Sequence, residues 1–359
     1  MIISLSEPLL QHFIDPYLHR TWGEVNAIKT VELLNGVLTV HILVSYPTLK
    51  LNLKVFDSLQ QSLLNLPDVK EVLFQFATRI ESHQTQPNVD AIDAVKNIIA
   101  IGSGKGGVGK STTAVNLAVA LAIQGAKVGL LDADIYGPNQ PQMLGAHIKL
   151  TPENGQLLQP VHRYGLQTMS MAYLVDPNIP MIWRGPMVSS ALQQLARDTA
   201  WQDLDYLIID LPPGTGDIQL TLSQKIPVSA AVIVTTPQEV ALLDARKGLE
   251  MFRKVNVPVL GVIENMSTHI CQECGHHEAI FGEGGAERLV ASGQTRLLGQ
   301  IPLTRSIREQ ADLGVPIVSA LPDSAEAERY HQIATTIAAQ LSLQPKRRIH
   351  KFPKIVVEQ

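Results

Sequence analysis

Residues 104–112, GKGGVGKST, satisfy the G-x-x-x-x-G-K-[ST] spacing of a phosphate-binding loop. An apolar strand predicted at Ile98–Ile101 precedes the stretch, and a helix predicted over Thr112–Gln124 follows it. Glycines let backbone amides turn toward phosphate oxygens, Lys110 can reach the β- and γ-phosphates, and the Ser111 hydroxyl can ligate Mg²⁺. The stretch therefore predicts a nucleotide site that is built from Gly104, Lys105, Gly106, Gly107, Val108, Gly109, Lys110, Ser111 and Thr112.

Outward from this loop, short apolar runs alternate with longer helical patterns. Strands are predicted at Ile98–Ile101, Lys127–Leu131, Tyr206–Ile209, Ala230–Val234, Val259–Ile263 and Leu297–Ile301. Helices are predicted at Thr112–Gln124, Ser189–Arg197, Val240–Lys254, Ala286–Ser292 and Ser324–Leu341. Strands that are buried on both faces and separated by helices are typical of a doubly wound sheet. The sequence thus predicts an α/β fold, with a mostly parallel P-loop NTPase domain over residues 95–343.

The rest of the chain is predicted to form a small accessory domain, a linker and a tail. Residues 1–80 combine helical patterns with apolar strands around the hairpin signal Asn35-Gly36, which indicates a small α+β domain. Residues 81–94 are predicted as the linker, because the segment ESHQTQPN at 81–88 is polar and contains proline. Residues 344–359 form a basic tail, to which the sequence assigns no role.

Composition and charge limit the partners and the cellular location that are expected for this protein. The 359 residues include 45% hydrophobic side chains, enough for a packed core in about two domains. A net charge of −4 supplies no basic field, so nucleic acid is not an expected partner. No apolar window of about 18 residues occurs, and Met1–Leu10 lacks the basic region of a signal peptide, so no membrane partner is expected. The two cysteines are too close in sequence for a useful disulfide, and a reducing, cytoplasmic location is expected.

Three carboxylates follow predicted strands of the large domain. Asp132 and Asp134 come directly after its second strand, and Asp210 ends the strand DYLIID. The carboxyl ends of parallel strands line the crevice where doubly wound sheets bind ligands, so we expect Asp210 to hold Mg²⁺ directly or through water. The glycines of the next loop allow it to rearrange when a γ-phosphate leaves. This predicted switch consists of Pro213, Gly214, Thr215, Gly216 and Asp217.

Cys271 and Cys274 form a C-x-x-C pattern, and two thiolates at this spacing can share a metal. A [4Fe–4S] cluster usually takes four cysteines, so one chain supplies half of the ligands. A two-fold dimer would bring both pairs to its axis and hold an exposed bridging cluster, and four thiolates also fit [2Fe–2S]. Three other interpretations remain: a zinc completed by two of His269, His276 and His277, a redox dithiol, and two unconnected thiols.

The loop GKGGVGKST contains a second lysine and resembles the deviant Walker A loop of the MinD/ParA/nitrogenase-iron-protein class. The resemblance implies that Lys105 crosses a dimer interface to the partner's nucleotide, so that ATP clamps two subunits reversibly. It also implies that Asp134 orients or activates the attacking water, that Asp132 supports the magnesium shell, and that Asn265 faces the adenine edge. On this basis the catalytic residues are Lys105, Lys110 and Asp134, and the magnesium group is Ser111, Asp132 and Asp210.

The motifs GKGGVGKST, DADIYGP, DLPPGTGD, ENMS and CQECGHHEAIFGEGG together resemble the Mrp/ApbC family of ATP-dependent iron–sulfur carriers. The match covers about residues 95–343, and the first 80 residues look like the small domain that bacterial members carry in front. The resemblance implies a homodimer that hydrolyses ATP slowly, bridges a [4Fe–4S] cluster through Cys271 and Cys274 of both subunits, and delivers it to apoprotein clients. The chain departs from the pattern in two ways: its front domain has no cysteine, and Gln272 stands where relatives often have proline.

The main alternative is a positioning ATPase of the ParA/MinD kind, which binds DNA or membrane as an ATP dimer. DNA binding requires a basic face, whereas this chain is mildly acidic. Membrane binding requires a C-terminal amphipathic helix, whereas the tail is short and interrupted by Pro353. A further alternative, an ATP-switched dimer with a structural zinc at the C-x-x-C, differs from the carrier in its metal alone.

Overall fold

The computed structural model describes residues 2–87, 89–151, 157–175, 185–271, 273–291 and 295–347. These residues form one sheet near the front of the chain and a larger sheet from Val95 onward. The front part contains α1 (Ile2–Gln11), β1 (Ile28–Leu34), β2 (Val37–Val44), a 3-10 helix (Leu53–Phe56), α2 (Asp57–Leu64) and β3 (Glu71–Thr78).

The front sheet has the order β1-β2-β3. β1 and β2 are antiparallel and meet at Asn35 and Gly36, whose φ angles of +52° and +86° suit a two-residue hairpin turn. β3 pairs with β2 in parallel. Beside this sheet, the buried Asp15 carboxylate accepts hydrogen bonds from Trp22 Nε1 at 3.0 Å and from the Tyr46 hydroxyl at 2.7 Å. The hairpin predicted at Asn35-Gly36 is therefore present. Beside it, the buried Asp15 carboxylate links Trp22 and Tyr46 through hydrogen bonds.

The larger part alternates strands and helices. Its first half contains β4 (Val95–Gly102), α3 (Lys110–Ile123), β5 (Val128–Asp132), α4 (Gln140–Met143), β6 (Val161–Arg163), β7 (Leu166–Ser170), α5 (Gly185–Asp198) and β8 (Leu204–Asp210). Its second half contains α6 (Asp217–Lys225), β9 (Ala230–Thr235), α7 (Glu239–Lys254), β10 (Val259–Ile270), β11 (His277–Glu278), α8 (Gly285–Ala291), β12 (Leu297–Leu303), α9 (Arg305–Asp312), α10 (Ile317–Ala320) and α11 (Ala325–Ser342).

The large sheet has the order β11-β10-β9-β4-β8-β5-β7-β6, and β12 pairs with β10. Its described strand pairs are parallel except β6 with β7 and β10 with β11. Every residue of β5, β8 and β9 is buried, as expected for strands with helices on both faces. The predicted α/β class with a mostly parallel sheet is confirmed, and the six predicted strands correspond to β4, β5, β8, β9, β10 and β12.

The segment predicted as a linker is fastened to the large part of the molecule. His83 is buried, and its Nδ1 lies 2.9 Å from Asn97 Oδ1 on β4. Gln84 N donates to Pro345 O at 2.8 Å, and Arg347 N donates to Ser82 O at 2.9 Å. The beginning of the predicted tail therefore pairs with this segment, while residues 348–359 of the tail lie outside the described residues.

Hydrogen bonds also join the front part to the helices behind the large sheet. Gln340 Nε2 on α11 donates to Tyr17 O at 2.6 Å, and Leu49 N donates to Gln124 O at the end of α3 at 3.2 Å. The division into domains stays a prediction. None of the described helices has the length and apolar character needed to cross a membrane.

Candidate functional site

The phosphate loop joins β4 to α3 at the carboxyl edge of the sheet. Gly107 and Gly109 have φ angles of +80° and +79°, a left-handed conformation that glycine adopts without strain. Gly104 is closely packed, since a Cβ there would lie 2.2 Å from the carbonyl carbon of Asp244. Gly109 caps α3 without a side-chain hydrogen bond, so no capping side chain covers the first amides of the helix. A loop and helix end of this kind form an anion site.

Lys110 and Asp210 meet at the centre of this site. The Lys110 ammonium pairs with Asp210 Oδ1, and both side chains are buried. Gln140 Nε2 donates to Asp210 Oδ2 at 2.9 Å and to Ser111 O at 3.0 Å, while Lys110 Nζ lies 3.4 Å from Ser111 Oγ. The residues predicted for phosphate and for Mg²⁺ are thus brought to one point, and their hydroxyl and carboxylate oxygens are ligands that Mg²⁺ prefers.

Asp132 lies beside this pair, because β5 and β8 place it opposite Asp210. Its Oδ2 accepts hydrogen bonds from Gln140 N at 3.1 Å and from Ser170 Oγ at 3.2 Å. Burial, with the nearby Asp210 carboxylate as the next cause, raises the pKa of Asp132 to about 7. The strand ends therefore gather two carboxylates that repel each other and that a cation would stabilise together.

Asp134 stands two residues farther along and is half-buried. Its Oδ1 accepts a hydrogen bond from Gly137 N at 3.3 Å. Burial raises the pKa of Asp134, while the Lys110 charge opposes that shift. A carboxylate with a raised pKa near a phosphate site suits the predicted role of orienting or activating water.

The predicted switch loop touches the start of the phosphate loop. Gly214 N donates to Ser103 O at 2.9 Å, and the φ angle of Gly214 is +101°. Gln219 Nε2 on α6 donates to Pro213 O, and Asp217 begins the same helix. A movement of this loop would therefore displace Ser103, the residue that precedes Gly104.

Lys105, the second lysine of the loop, is half-buried and forms no ion pair with the described residues. Its carbonyl oxygen accepts a hydrogen bond from Ser103 Oγ at 2.9 Å, which holds the backbone beside it. Because the backbone is fixed and the ammonium is not paired within the described chain, the geometry is compatible with the predicted contact to a partner's nucleotide. That role stays a prediction.

Asn265, predicted to face adenine, lies against the loop itself. Its Nδ2 donates to Val108 O at 2.8 Å, and a Cβ at Gly109 would lie 2.1 Å from the same nitrogen. The side chain is buried, one residue beyond the β10 segment that pairs with β9. The structure therefore gives Asn265 a loop contact that the sequence did not indicate, and the adenine contact stays a prediction.

The two cysteines lie on the hairpin that joins β10 to β11. Cys271 is partly exposed and Cys274 is exposed. Cys271 N donates to His276 O, and Gly275 N donates to Cys271 O, both at 2.9 Å. Backbone amides of Cys274 and Glu273 point at the Cys271 thiol, and with the Cys274 thiol they lower its pKa. Such a hairpin presents two thiols at the surface.

No third metal ligand joins this pair within the described residues. These contain no group of three or more histidine, cysteine, aspartate or glutamate side chains placed to hold a metal ion. Among the candidates for zinc, His269 is instead 3.1 Å from Leu303 O through Nδ1. The described part of the chain therefore offers two thiols for a metal, and the zinc site proposed from sequence is not assembled there.

Two residues of the site escaped the sequence analysis. Gln140 bonds to Asp132 and Asp210 through its backbone and side chain, but it lies in a four-residue helix without a motif. Glu264 is buried beside Asn265 and accepts hydrogen bonds from Ala286 N at 2.6 Å and Gln300 Nε2 at 2.9 Å. The one available signal for Glu264 was a carboxylate directly after an apolar predicted strand.

Comparison with known proteins gives one consistent result. Residues 94–338 match the family model described as "ParA: NUBPL iron-transfer P-loop NTPase". The chain is 49% identical over 333 residues to the iron-sulfur cluster carrier protein of Escherichia coli K12, covering 92% of this chain and 90% of that protein. It is 56% identical over 280 residues to the iron-sulfur cluster carrier protein of Pseudomonas fragi, covering 77% of this chain and 98% of that protein.

Among solved structures, the fold is similar to a nucleotide-binding protein from Archaeoglobus fulgidus in complex with ADP and with cobalt. The TM-score is 0.55 at 38% identity, and the match covers 62% of this chain and 88% of that protein. The matched protein binds a nucleotide on the same type of fold.

Proposed function

The chain belongs to the NUBPL iron-transfer P-loop NTPase family, and from this premise we propose that it carries iron–sulfur clusters and delivers them to apoprotein clients. The observation that carries the proposal is the exposed Cys271 and Cys274 pair on the β10–β11 hairpin. Cluster delivery requires ligands that a client can reach, and these thiols meet that requirement. Thiols that serve as cluster ligands have to stay reduced, so we place the protein in the reducing cytoplasm.

The cluster is cargo, and its full ligand set comes from two chains in this proposal. One chain presents two thiols, whereas a [4Fe–4S] or [2Fe–2S] cluster takes four protein ligands. A homodimer with its two-fold axis at the hairpins supplies the other two as Cys271 and Cys274 of the second copy. We take [4Fe–4S] as the cargo, which the iron count below distinguishes from [2Fe–2S].

ATP binds at the phosphate loop and is hydrolysed there. Lys110 neutralises charge on the β- and γ-phosphates, while Ser111, Asp210 and Asp132 hold Mg²⁺ directly or through water. Asp134 orients or activates the water that attacks the γ-phosphate, and Lys105 reaches the nucleotide of the second subunit. Positioning and charge stabilisation then supply the catalysis, and a slow turnover suits a clamp that times the release of cargo.

Anaerobic reconstitution with iron and sulfide tests the carrier function. The wild type is compared with the Cys271→Ser/Cys274→Ser double variant by visible absorption and by iron, sulfide and zinc counts per dimer. We expect a broad thiolate-to-iron band and about four irons per wild-type dimer, both lost in the variant. Transfer is then followed as the gain of activity of an apo iron–sulfur enzyme. One zinc per monomer without such a band would refute the carrier function.

A further inference from the structure

One end of β10 is fastened to the phosphate loop. Asn265 Nδ2 donates to Val108 O at 2.8 Å, and the side chain is 7% exposed. The same nitrogen is so close to Gly109 that a Cβ at that glycine would lie only 2.1 Å away. Close-packed contacts of this kind transmit displacement, because neither side has room to move alone. A change in the loop backbone on phosphate binding therefore has to move the Asn265 side chain or carry it along.

Directly after Asn265 the strand is interrupted by a bulge. Asn265 pairs with Ile301 and His269 pairs with Leu303, so four steps along β10 match two steps along β12. Met266 has a φ angle of +56°, a left-handed conformation that is uncommon for a long side chain. Bulges re-aim the strand beyond them, and strained residues are typical of switch regions. The interruption thus lies between the nucleotide loop and the cysteines.

Side chains hold the bulge to β12. Ser267 Oγ donates to Ile301 O at 3.2 Å, and His269 Nδ1 lies 3.1 Å from Leu303 O. The first bond starts inside the register shift and the second at its far end. Side-chain bonds can follow a small shift of the backbone by rotating, whereas a regular ladder fixes the register. The bulge can therefore change shape without separating β10 from β12.

The other end of β10 sets the place of the first cysteine. Ile270, its last residue, pairs with His277, and Cys271 N donates to His276 O at 2.9 Å. Any change in direction of β10 beyond Met266 consequently moves the hairpin that holds Cys271.

The part of β10 before the bulge is held in place. Glu264 is 1% exposed, and its carboxylate accepts hydrogen bonds from Ala286 N at 2.6 Å and from Gln300 Nε2 at 2.9 Å. Asn265 is therefore anchored on its N-terminal side to α8 and β12. A second register shift lies farther back, between Val262 and Ile263, and Glu264 stands between that shift and Asn265. The irregularity next to Asn265 is therefore the bulge.

We propose that Asn265 and the bulge at Met266 couple the nucleotide loop to the cysteine pair, so that nucleotide binding changes the exposure of Cys271 and Cys274. Asn265 acts as a positioning residue that moves together with the Val108 carbonyl. The strained bulge transmits the displacement of Asn265 to the hairpin. The inference rests on the proposed carrier function, whose site it regulates, and it assigns Asn265 a role other than reading adenine.

The test follows thiol alkylation in the full-length, cluster-free protein. The alkylation rate of Cys271 and Cys274 is measured with and without saturating Mg-ADP or a non-hydrolysable ATP analogue. We expect the two rates to differ by about five-fold or more in the wild type, in the range typical of coupled sites. Met266→Gly removes the penalty for the left-handed backbone, so the bulge absorbs the movement and the ratio falls to within about two-fold of one.

Asn256→Gly is the matched control. Asn256 also has a positive φ, +57°, but it is exposed in the turn before β10. This substitution removes the same kind of strain outside the path from the loop to the cysteines. The nucleotide effect on alkylation should keep its wild-type ratio in this variant, and an equal loss in both glycine variants would overturn the assignment to the bulge.

Asn265→Ala separates the two roles of Asn265. As a positioning residue it changes the affinities for ATP and GTP by the same factor, and the alkylation ratio at saturating nucleotide falls toward one. If Asn265→Ala lost affinity for ATP alone and kept the alkylation ratio of the wild type, the inference would be overturned. It would also be overturned if nucleotide left the alkylation rate of the wild-type protein unchanged. The readout needs no cluster, so reconstitution of the wild type decides the carrier function independently.

Discussion

The phosphate loop and the cysteine hairpin stand on the same sheet but are built in opposite ways. Lys110 and Asp210 are buried and bonded, and Gly104 and Gly109 have no room for a Cβ. Cys271 and Cys274 lie at the surface, and among the described residues no third side chain joins them as a metal ligand. The buried charges of the first region are assembled within one chain, whereas the second region offers two thiols and depends on further ligands from outside the chain.

This difference fits the chemistry that each region has to perform. Phosphoryl transfer is catalysed by charges that are positioned before the reaction begins. A cargo site has to release its cluster, so shared and exposed ligands are an advantage there. A substitution in one region should therefore change the function of that region and leave the function of the other in place. Substitutions in the proposed link along β10 are the exception.

The largest effect is expected for Lys110→Ala. The substitution removes the charge at the phosphates and leaves the buried Asp210 carboxylate without its ammonium partner. We expect kcat/KM for ATP hydrolysis to fall by at least about 100-fold. Steady-state phosphate release measures it. Lys127→Ala is the control, since Lys127 pairs with Asp203 at an exposed position and should stay near wild type. Wild-type hydrolysis in Lys110→Ala would refute the nucleotide assignment.

Single cysteine substitutions come next. In a bridged dimer Cys271→Ser removes two of four ligands, and Cys274→Ser removes the other two. Each variant should lose about ten-fold or more of its cluster affinity, measured as iron retained against a chelator under anaerobic conditions. Hydrolysis of ATP by the cluster-free variants should remain within about two-fold of wild type. If only one of the two variants lost iron, a bridge of equivalent pairs would be wrong.

Gly104→Ala probes how rigid the phosphate loop is. The new methyl would lie 2.2 Å from the Asp244 carbonyl carbon on α7, so either the loop or the helix has to shift. We expect a loss of about 1–3 kcal/mol in the free energy of unfolding, with weaker ATP binding. Urea unfolding and a binding titration measure both quantities. Gly137→Ala is the matched control, because a Cβ at Gly137 meets no atom within 4 Å. Equal effects in the two variants would show that the loop is not tightly packed.

The last prediction concerns pH and the buried carboxylates. Burial and Asp210 raise the pKa of Asp132 from 3.8 to about 7, so between these values the folded chain keeps a proton that the unfolded chain has lost. This carboxyl's contribution to stability therefore falls as pH rises through that window. Asparagine does not titrate, so Asp132→Asn does not lose stability in this way as pH rises. The free energy of unfolding of the variant relative to wild type should therefore rise with pH by at most about 1.4 kcal/mol per unit.

Urea unfolding from about pH 4 to pH 8 in chelator without nucleotide measures the effect of Asp132→Asn. Asp203→Asn serves as the control, because Asp203 is exposed and pairs with Lys127. A difference from wild type that did not vary with pH would contradict a raised pKa at Asp132.

The sequence predicted the central strands well because they are short continuous apolar runs, as in β8 and β9. It predicted the end of β10 at Ile263, whereas the strand continues to Ile270. Polar residues and the left-handed Met266 interrupt the apolar pattern there, and pairing with β12 sustains the strand instead. Short edge strands such as β6 are too brief to show a period.

The candidate site also contains features that the sequence could predict and features that it could not. Lys110, Asp132 and Asp210 could be predicted, because a motif and the ends of strands mark them. The contacts of Gln140 and Asn265 could not, since both depend on how distant segments pack around the loop. A spacing along the chain carries no information about such pairs.

Native mass spectrometry of the reconstituted protein tests the central claim most directly. Wild-type chains are mixed with Cys271→Ser/Cys274→Ser chains that differ in mass, and the mixture is loaded with iron and sulfide without oxygen. The account predicts one [4Fe–4S] cluster on each wild-type dimer and none on mixed dimers, which have two thiols instead of four. A cluster on a wild-type monomer, or on a mixed dimer, would contradict a cluster shared between subunits.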